Sequence, residues 1–70
     1  MKTTVLGYSK NGVYVEVENS FASVVFDFNT STHECEESDY PWWSLDDTCT
    51  YQLAKSEIES LTEAFNLLVD

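Results

Sequence analysis

Hydrophobic and polar positions alternate along residues 2–29, which is the pattern of strands that bury one face. Asn11-Gly12 is a preferred dipeptide of two-residue type I′ hairpin turns. This turn and a second tight turn at Asn19-Ser20 set the register of a three-stranded meander. The predicted pairs are Lys10 with Val13, Tyr8 with Val15, Leu6 with Val17, Ala22 with Val17, Val24 with Val15, and Phe26 with Val13. One apolar sheet face follows, made of Thr4, Leu6, Tyr8, Val13, Val15, Val17, Ala22, Val24, Phe26 and Phe28.

The last part of the chain carries the spacing of an amphipathic helix over residues 57–68. Ser56, followed three residues later by Glu59, makes a capping box that marks where the helix begins. Its apolar stripe is Ile58, Leu61, Ala64, Phe65 and Leu68. We expect Ile58, Leu61, Phe65 and Leu68 to pack on the apolar sheet face. The fold class is therefore α+β, with a three- to four-stranded antiparallel sheet and one C-terminal helix on one face.

Residues 30–47 predict a loop rich in acidic and aromatic side chains, since Pro41 disfavours helix just before it. The alternation of Cys49, Tyr51 and Leu53 suggests a possible fourth strand over 48–54, although a direct run into the helix fits nearly as well. Seventy residues are enough for one small domain, 1–70.

Charge separates this chain from an ordinary small domain. Thirteen acidic residues stand against three lysines and no arginine, which gives a net charge of −10. Such a surface disfavours direct binding to nucleic acid or to an anionic membrane and favours a basic protein surface as the partner. The candidate contacts in the central segment are Glu34, Glu36, Glu37, Asp39, Asp46 and Asp47.

The helix adds a second set of candidate acidic contacts. Glu59 and Glu63 lie one turn apart on its exposed side, about 5–6 Å from each other, which is close to the spacing of phosphates along a nucleic-acid strand. Acid on loop, helix and sheet is what a surface imitating a phosphate backbone requires. Two other interpretations remain open: an acidic loop that is simply solvated, and adaptation to a saline cytosol.

Tyr40, Trp42 and Trp43 form an aromatic group beside these acids. Adjacent tryptophans point in different directions, so both are hard to bury in a small core. They are candidate interface anchors that suit a partner offering arginine. In the alternative interpretation one tryptophan covers the edge of the core and the other is partly exposed. An aromatic-anchored adaptor or antitoxin-like binder, without nucleic-acid mimicry, is thus the rival hypothesis.

Metal and catalytic chemistry are poorly supported by the sequence. The spacing of His33, Cys35 and Cys49 does not match that of structural zinc sites, and Asp46-Asp47 lacks the spaced ligands of a calcium loop. We therefore expect no metal and no cofactor. With a single histidine and no arginine, so short a chain offers few candidates for an assembled catalytic group, although a hydrolase built on paired carboxylates (Glu36, Asp39, Asp46, Asp47) is conceivable. The expectation is a binding protein that is not an enzyme.

The expected location is the cytoplasm, because no secretory signal precedes the strands and no apolar run is long enough to span a membrane. Cys35 and Cys49 are then expected to be reduced thiols, with a disulfide between them as the alternative. Both a monomer and a dimer paired through an edge strand are compatible with the pattern.

In size, acidity and predicted compact α+β fold the chain resembles small phage-encoded inhibitors that mimic DNA. These include several anti-CRISPR proteins and inhibitors of restriction enzymes and of uracil-glycosylase. The resemblance covers the overall profile and no residue-by-residue motif. It implies occlusion of a basic nucleic-acid channel on a host protein in the host cytoplasm, without cofactor or turnover.

Overall fold

The computed structural model describes residues 1–39 and 48–69 of the chain. Within them, four antiparallel strands lie in the order β1-β2-β3-β4, and one helix follows. The elements are β1 (Lys2–Tyr8), β2 (Gly12–Glu18), β3 (Ser23–Asn29), β4 (Cys35–Glu37) and α1 (Lys55–Val69). The predicted α+β class, with an antiparallel sheet and a C-terminal helix, is confirmed.

Both hairpin turns are longer than the sequence predicted, so the register was wrong by two residues. In the first, Tyr8 pairs with Val13, and the Ser9 amide donates to the Gly12 carbonyl. Gly12 does not have a positive φ, so the type I′ turn at Asn11-Gly12 does not form. In the second turn, the Asn19 side-chain oxygen accepts hydrogen bonds from the amides of Phe21 and Ala22. This cap stabilises a four-residue loop in place of the predicted two-residue turn.

A shift of two residues leaves the side chains of β2 and β3 on their predicted sheet faces. The observed β2–β3 partners are Val13 with Phe28, Val15 with Phe26, and Val17 with Val24. All six belong to the core or pack against it, as predicted.

The β1 face was predicted less well, because the register shifts between Val5 and Gly7. In the part of β1 before this bulge, the side chains that point to the core are the ones predicted to point away from it. Val5 therefore pairs with Val15 and packs against the core. Thr4 pairs with Glu16, and both lie on the sheet face away from the core. Leu6 is buried, but Tyr8 at the end of the strand is exposed, contrary to the prediction.

The fourth strand lies at residues 35–37 and not at 48–54. β4 pairs with β3, placing Cys35 opposite Phe28 and Glu36 opposite Asp27. Part of the predicted acidic loop is therefore an edge strand. Residues 48–54 form no strand. The alternating apolar residues of this segment, Cys49, Tyr51 and Leu53, nevertheless pack against the core.

The helix α1 covers the apolar sheet face through Leu61 and Phe65, both fully buried against Val13, Val15, Val17, Phe26 and Phe28. Ile58 and Leu68 were expected in this interface but are exposed, because the buried stripe is narrower and passes through Glu57 instead. The predicted capping box at Ser56 and Glu59 is also wrong. The helix begins two residues earlier than predicted, and the Glu57 carboxylate accepts a hydrogen bond from the Ala54 amide at 2.8 Å.

Candidate functional site

Acidic side chains gather at the β4 edge of the sheet. Asp27 on β3 and Glu36 on β4 are directly paired and share the sheet face opposite the helix. Paired residues on one face have Cβ atoms about 4.5–5.5 Å apart, and two like charges at that distance repel each other. Glu34, Glu37 and Asp39 are exposed nearby along the same edge. We call Asp27, Glu34, Glu36, Glu37 and Asp39 the acidic edge.

A tight loop between β3 and β4 holds part of this edge in place. The Asn29 side-chain oxygen accepts hydrogen bonds from the amides of Ser31 and Thr32, at 2.8 and 3.0 Å. The Asn29 amide donates to the Glu34 carbonyl, and the His33 amide donates to the Asn29 carbonyl. His33 has a φ of 63°, in the left-handed region, which reverses the chain into β4. The position of Glu34 beside β3 follows from this loop.

A concavity of about 350 Å³ opens at the acidic edge. Its lining is Asn11, Asp27, Asn29, Glu34, Cys35 and Glu36. Asp27 Oδ1 accepts a hydrogen bond of 2.7 Å from the Ser9 hydroxyl, which fixes that carboxylate at the wall. Among the described residues no lysine is within ion-pair distance of these carboxylates. Carboxylate and amide oxygens around an open concavity accept hydrogen bonds from a cationic side chain such as arginine.

The remaining acids of the sheet extend the same negative face. Glu16 and Glu18 alternate with the buried valines of β2 and so lie on the face away from the helix. Glu16 accepts a hydrogen bond from Ser23, and Lys2 is the strand partner of Glu18. The face therefore carries negative charge from β2 across to β4.

The acids predicted on the helix do not join this surface. Glu59 and Glu63 are exposed on the outer side of α1, whereas the helix packs on the opposite sheet face from Asp27 and Glu36. The structure thus places Glu36 and the two helix acids on opposite sides of the protein, whereas Glu37, paired with Phe26, faces the helix side of the sheet. Five other predicted site residues, Tyr40, Trp42, Trp43, Asp46 and Asp47, lie outside the described residues.

The sequence analysis missed a buried carboxylate. Glu57 is 5% exposed, and its two oxygens have separate donors: the Ala54 amide on Oε1 and the Tyr51 hydroxyl on Oε2, at 2.8 and 2.6 Å. His33 Nε2 lies 4.0 Å from Oε2. The signal was available, because Glu57 is the third residue of a helix that follows an alternating apolar segment, a position typical of capping carboxylates.

The pKa of Glu57 reflects these competing effects. Burial of the carboxylate raises its pKa, but the hydrogen bonds from Ala54 and Tyr51 and the proximity of His33 lower it, and the net pKa is below the ordinary value. The same contact raises the pKa of the Tyr51 hydroxyl. Since both carboxylate oxygens are occupied by donors, Glu57 joins three segments of the fold and is poorly placed to act as a base.

The two cysteines are free thiols in the structure. Cys35 Sγ lies 3.9 Å from the carbonyl oxygens of His33 and Ser60, and burial raises the pKa of its thiol. A raised pKa keeps the thiol protonated and weakly nucleophilic.

Within residues 1–39 and 48–69, no group of three or more His, Cys, Asp or Glu side chains is arranged to hold a metal ion.

In the part of the chain that the structure describes, no helix has the length and apolar character needed to cross a membrane. Comparison of the chain with protein-family models, with curated proteins and with solved structures found no match.

Proposed function

We propose that this protein is a small acidic inhibitor that binds and occludes a basic nucleic-acid-binding surface of another protein or complex, acting as a DNA mimic. The observation that carries the proposal is the acidic edge, where carboxylates surround an open concavity and have no lysine within ion-pair distance among the described residues. Its partner is a nucleic-acid-handling protein of the anti-CRISPR or anti-restriction target type, and its place of action is the cytoplasm.

The charge supports this function through both rate and affinity. A net charge of −10 attracts a basic channel over a distance of about one Debye length, roughly 8–10 Å at physiological salt. At contact, the carboxylates replace the phosphates that the channel otherwise binds. Asp27 and Glu36 are paired across the strands and repel each other in the free protein. A partner cation placed between them removes this electrostatic repulsion, which favours binding.

The experiment begins with a partner captured from extracts of the native host and tests it in competition with duplex DNA. Mimicry predicts that DNA displaces the protein and that association slows steeply as salt rises. Binding that ignores both DNA and ionic strength contradicts the proposal.

A matched pair of variants then tests the surface. Glu36→Gln with Glu37→Gln removes two charges from the acidic edge, and Glu59→Gln with Glu63→Gln removes two from the outer side of α1. We expect the first variant to weaken binding about tenfold and the second about twofold or less. Equal losses in both would mean that only net charge matters, and the acidic edge would not be the site.

The rival hypothesis, an aromatic-anchored adaptor, predicts a different result in the same binding assay. If Trp42→Ala with Trp43→Ala abolishes binding while neutralisation of Glu36 and Glu37 changes little, the protein is an aromatic-anchored adaptor and not a DNA mimic.

A further inference from the structure

The outer side of α1 carries a groove that the proposed function does not use. It is lined by Ile58, Glu59, Thr62, Glu63, Asn66 and Leu67 and has a volume of about 380 Å³. These residues form two neighbouring rows in which each residue follows the last by four positions. Rows of this kind are the ridges between which a second helix packs.

The ends of this groove are apolar and its middle is acidic. Ile58 is 37% exposed near the first turn, and Leu67 is 77% exposed near the last. They are nine residues, or two and a half turns, apart, so they are separated by about 13 Å along the axis and lie on opposite flanks of the groove. Between them, Glu59 and Glu63 stand one turn apart with no lysine in ion-pair distance among the described residues, a like-charge pair that costs a few tenths of a kcal/mol in the free helix.

We propose that this groove docks a basic amphipathic helix of a partner protein, with two aliphatic anchors that contact Ile58 and Leu67 and a Lys or Arg between them that pairs with Glu59 and Glu63. Charge complementarity selects this occupant. A second copy of the chain brings its own carboxylates to the groove, and an anionic lipid surface is likewise repelled by Glu59 and Glu63. A basic helix removes the repulsion and covers the apolar ends together.

This inference goes beyond the proposed function, because the groove lies on the outer side of α1, whereas Asp27 and Glu36 of the acidic edge lie on the sheet face away from the helix. The two surfaces can be tested independently, and either can fail alone. If both hold, one molecule contacts two basic elements at once.

The test uses a defined probe, a fluorescein-labelled synthetic helix of leucine, lysine and alanine. Its leucines are placed about eleven residues apart on one face, with lysines between them, so that the anchors are about 16 Å apart and reach from Ile58 on one flank to Leu67 on the other. Fluorescence anisotropy gives the affinity, and amide chemical shifts of the labelled protein give the location. We expect salt-dependent binding, with the shifts concentrated on the outer side of α1.

Variants separate the apolar from the acidic contribution. Leu67→Ala should weaken the probe at least about fivefold, since truncation of an interface anchor has this effect, and Phe21→Ala is its control as an exposed apolar residue elsewhere. Glu59→Gln with Glu63→Gln should weaken binding by a similar factor and flatten its salt dependence. Its control, Glu16→Gln with Glu18→Gln, removes the same charge from the sheet.

Three outcomes overturn the proposal. The first is a set of chemical-shift changes that maps to the sheet. The second is a Leu67→Ala variant that binds the probe as well as wild type, which reduces the contact to net charge. The third is a dimer in sedimentation that Leu67→Asp dissociates, which assigns the groove to a second copy. Because Leu67 is mostly exposed, Leu67→Ala should melt near the wild-type temperature, so loss of binding cannot be ascribed to unfolding.

Discussion

The hydroxyl of Tyr51 donates a 2.6 Å hydrogen bond to the buried carboxylate of Glu57, and this contact ties the segment before the helix to the first turn of the helix. The other carboxylate oxygen holds the Ala54 amide at the start of α1. A single side chain thus connects the helix N-terminus, the preceding segment and, through His33, the β3–β4 loop that shapes the acidic edge.

Acid should weaken the fold through this carboxylate. Because the pKa of Glu57 is lowered in the folded protein, its stabilisation is complete above the unfolded value of about 4.3 and is lost as the pH falls through the lower folded value. Urea unfolding between about pH 3 and 6 measures this change. Glu57→Gln should be less stable than wild type at pH 6, and the difference should shrink as the pH falls. A constant difference would show that the carboxylate charge is not what stabilises the contact.

Tyr51→Phe should lower the free energy of unfolding by about 1–2 kcal/mol at neutral pH, because Oε2 of a buried carboxylate loses its shortest hydrogen bond while the ring remains. Chemical denaturation provides the measurement. Tyr8→Phe removes the same hydroxyl from an exposed tyrosine on β1 and should change stability by less than about 0.5 kcal/mol. If the two variants lose similar amounts of unfolding free energy, the hydrogen bond from Tyr51 to Glu57 does not stabilise the fold specifically.

Phenylalanines at opposite extremes of burial provide a test of the core. Phe65 is fully buried between the helix and the sheet, and Phe65→Ala should cost about 3–5 kcal/mol, which is close to the whole stability of a small domain. Phe21 is 94% exposed, so Phe21→Ala should leave the melting temperature nearly unchanged. Cooperative melting of Phe65→Ala at the wild-type temperature would contradict this packing.

Gly12 is required because the backbone of β3 passes close to it, and not because of its own backbone angle. A Cβ built there lies 2.0 Å from the Phe28 carbonyl oxygen and 2.8 Å from the Thr30 amide nitrogen, and both are backbone atoms that cannot turn away. Gly12→Ala should therefore cost about 1–3 kcal/mol by overpacking. Asn11→Ala, at the exposed neighbouring position, is the control and should be milder in thermal melts. If Gly12→Ala is as stable as wild type, the two strands do not approach this closely.

The sequence predicted which sheet face is buried more reliably than which residues pair. Side-chain alternation has a period of two, and both turns were misplaced by two residues, so Val13, Val15 and Phe26 kept their predicted face. The bulge between Val5 and Gly7 breaks that period on β1 and has no clear sequence signal, so Thr4 was assigned to the buried face in place of Val5.

The candidate site was predicted in composition but not in arrangement. Acidic residues were expected to contact a partner, yet β4 was missed because Glu36 and Glu37 show none of the apolar alternation that indicates a strand. Such a strand forms because β3 offers an unpaired side and the Asn29 loop returns the chain along it. Only the folded structure separates the acidic edge from Glu59 and Glu63.

The three-residue β4 is one of the two outer strands of the sheet, where a second copy of the chain could add a strand. An open sheet edge offers unpaired backbone groups to any passing strand, and proteins often protect such edges with short strands and charged side chains. Here Glu36 points to one face of the edge and Glu37 to the other, so a strand approaching from a second copy meets a carboxylate on either side. The carboxylates that we propose for binding a basic partner therefore also oppose strand pairing between copies at this edge.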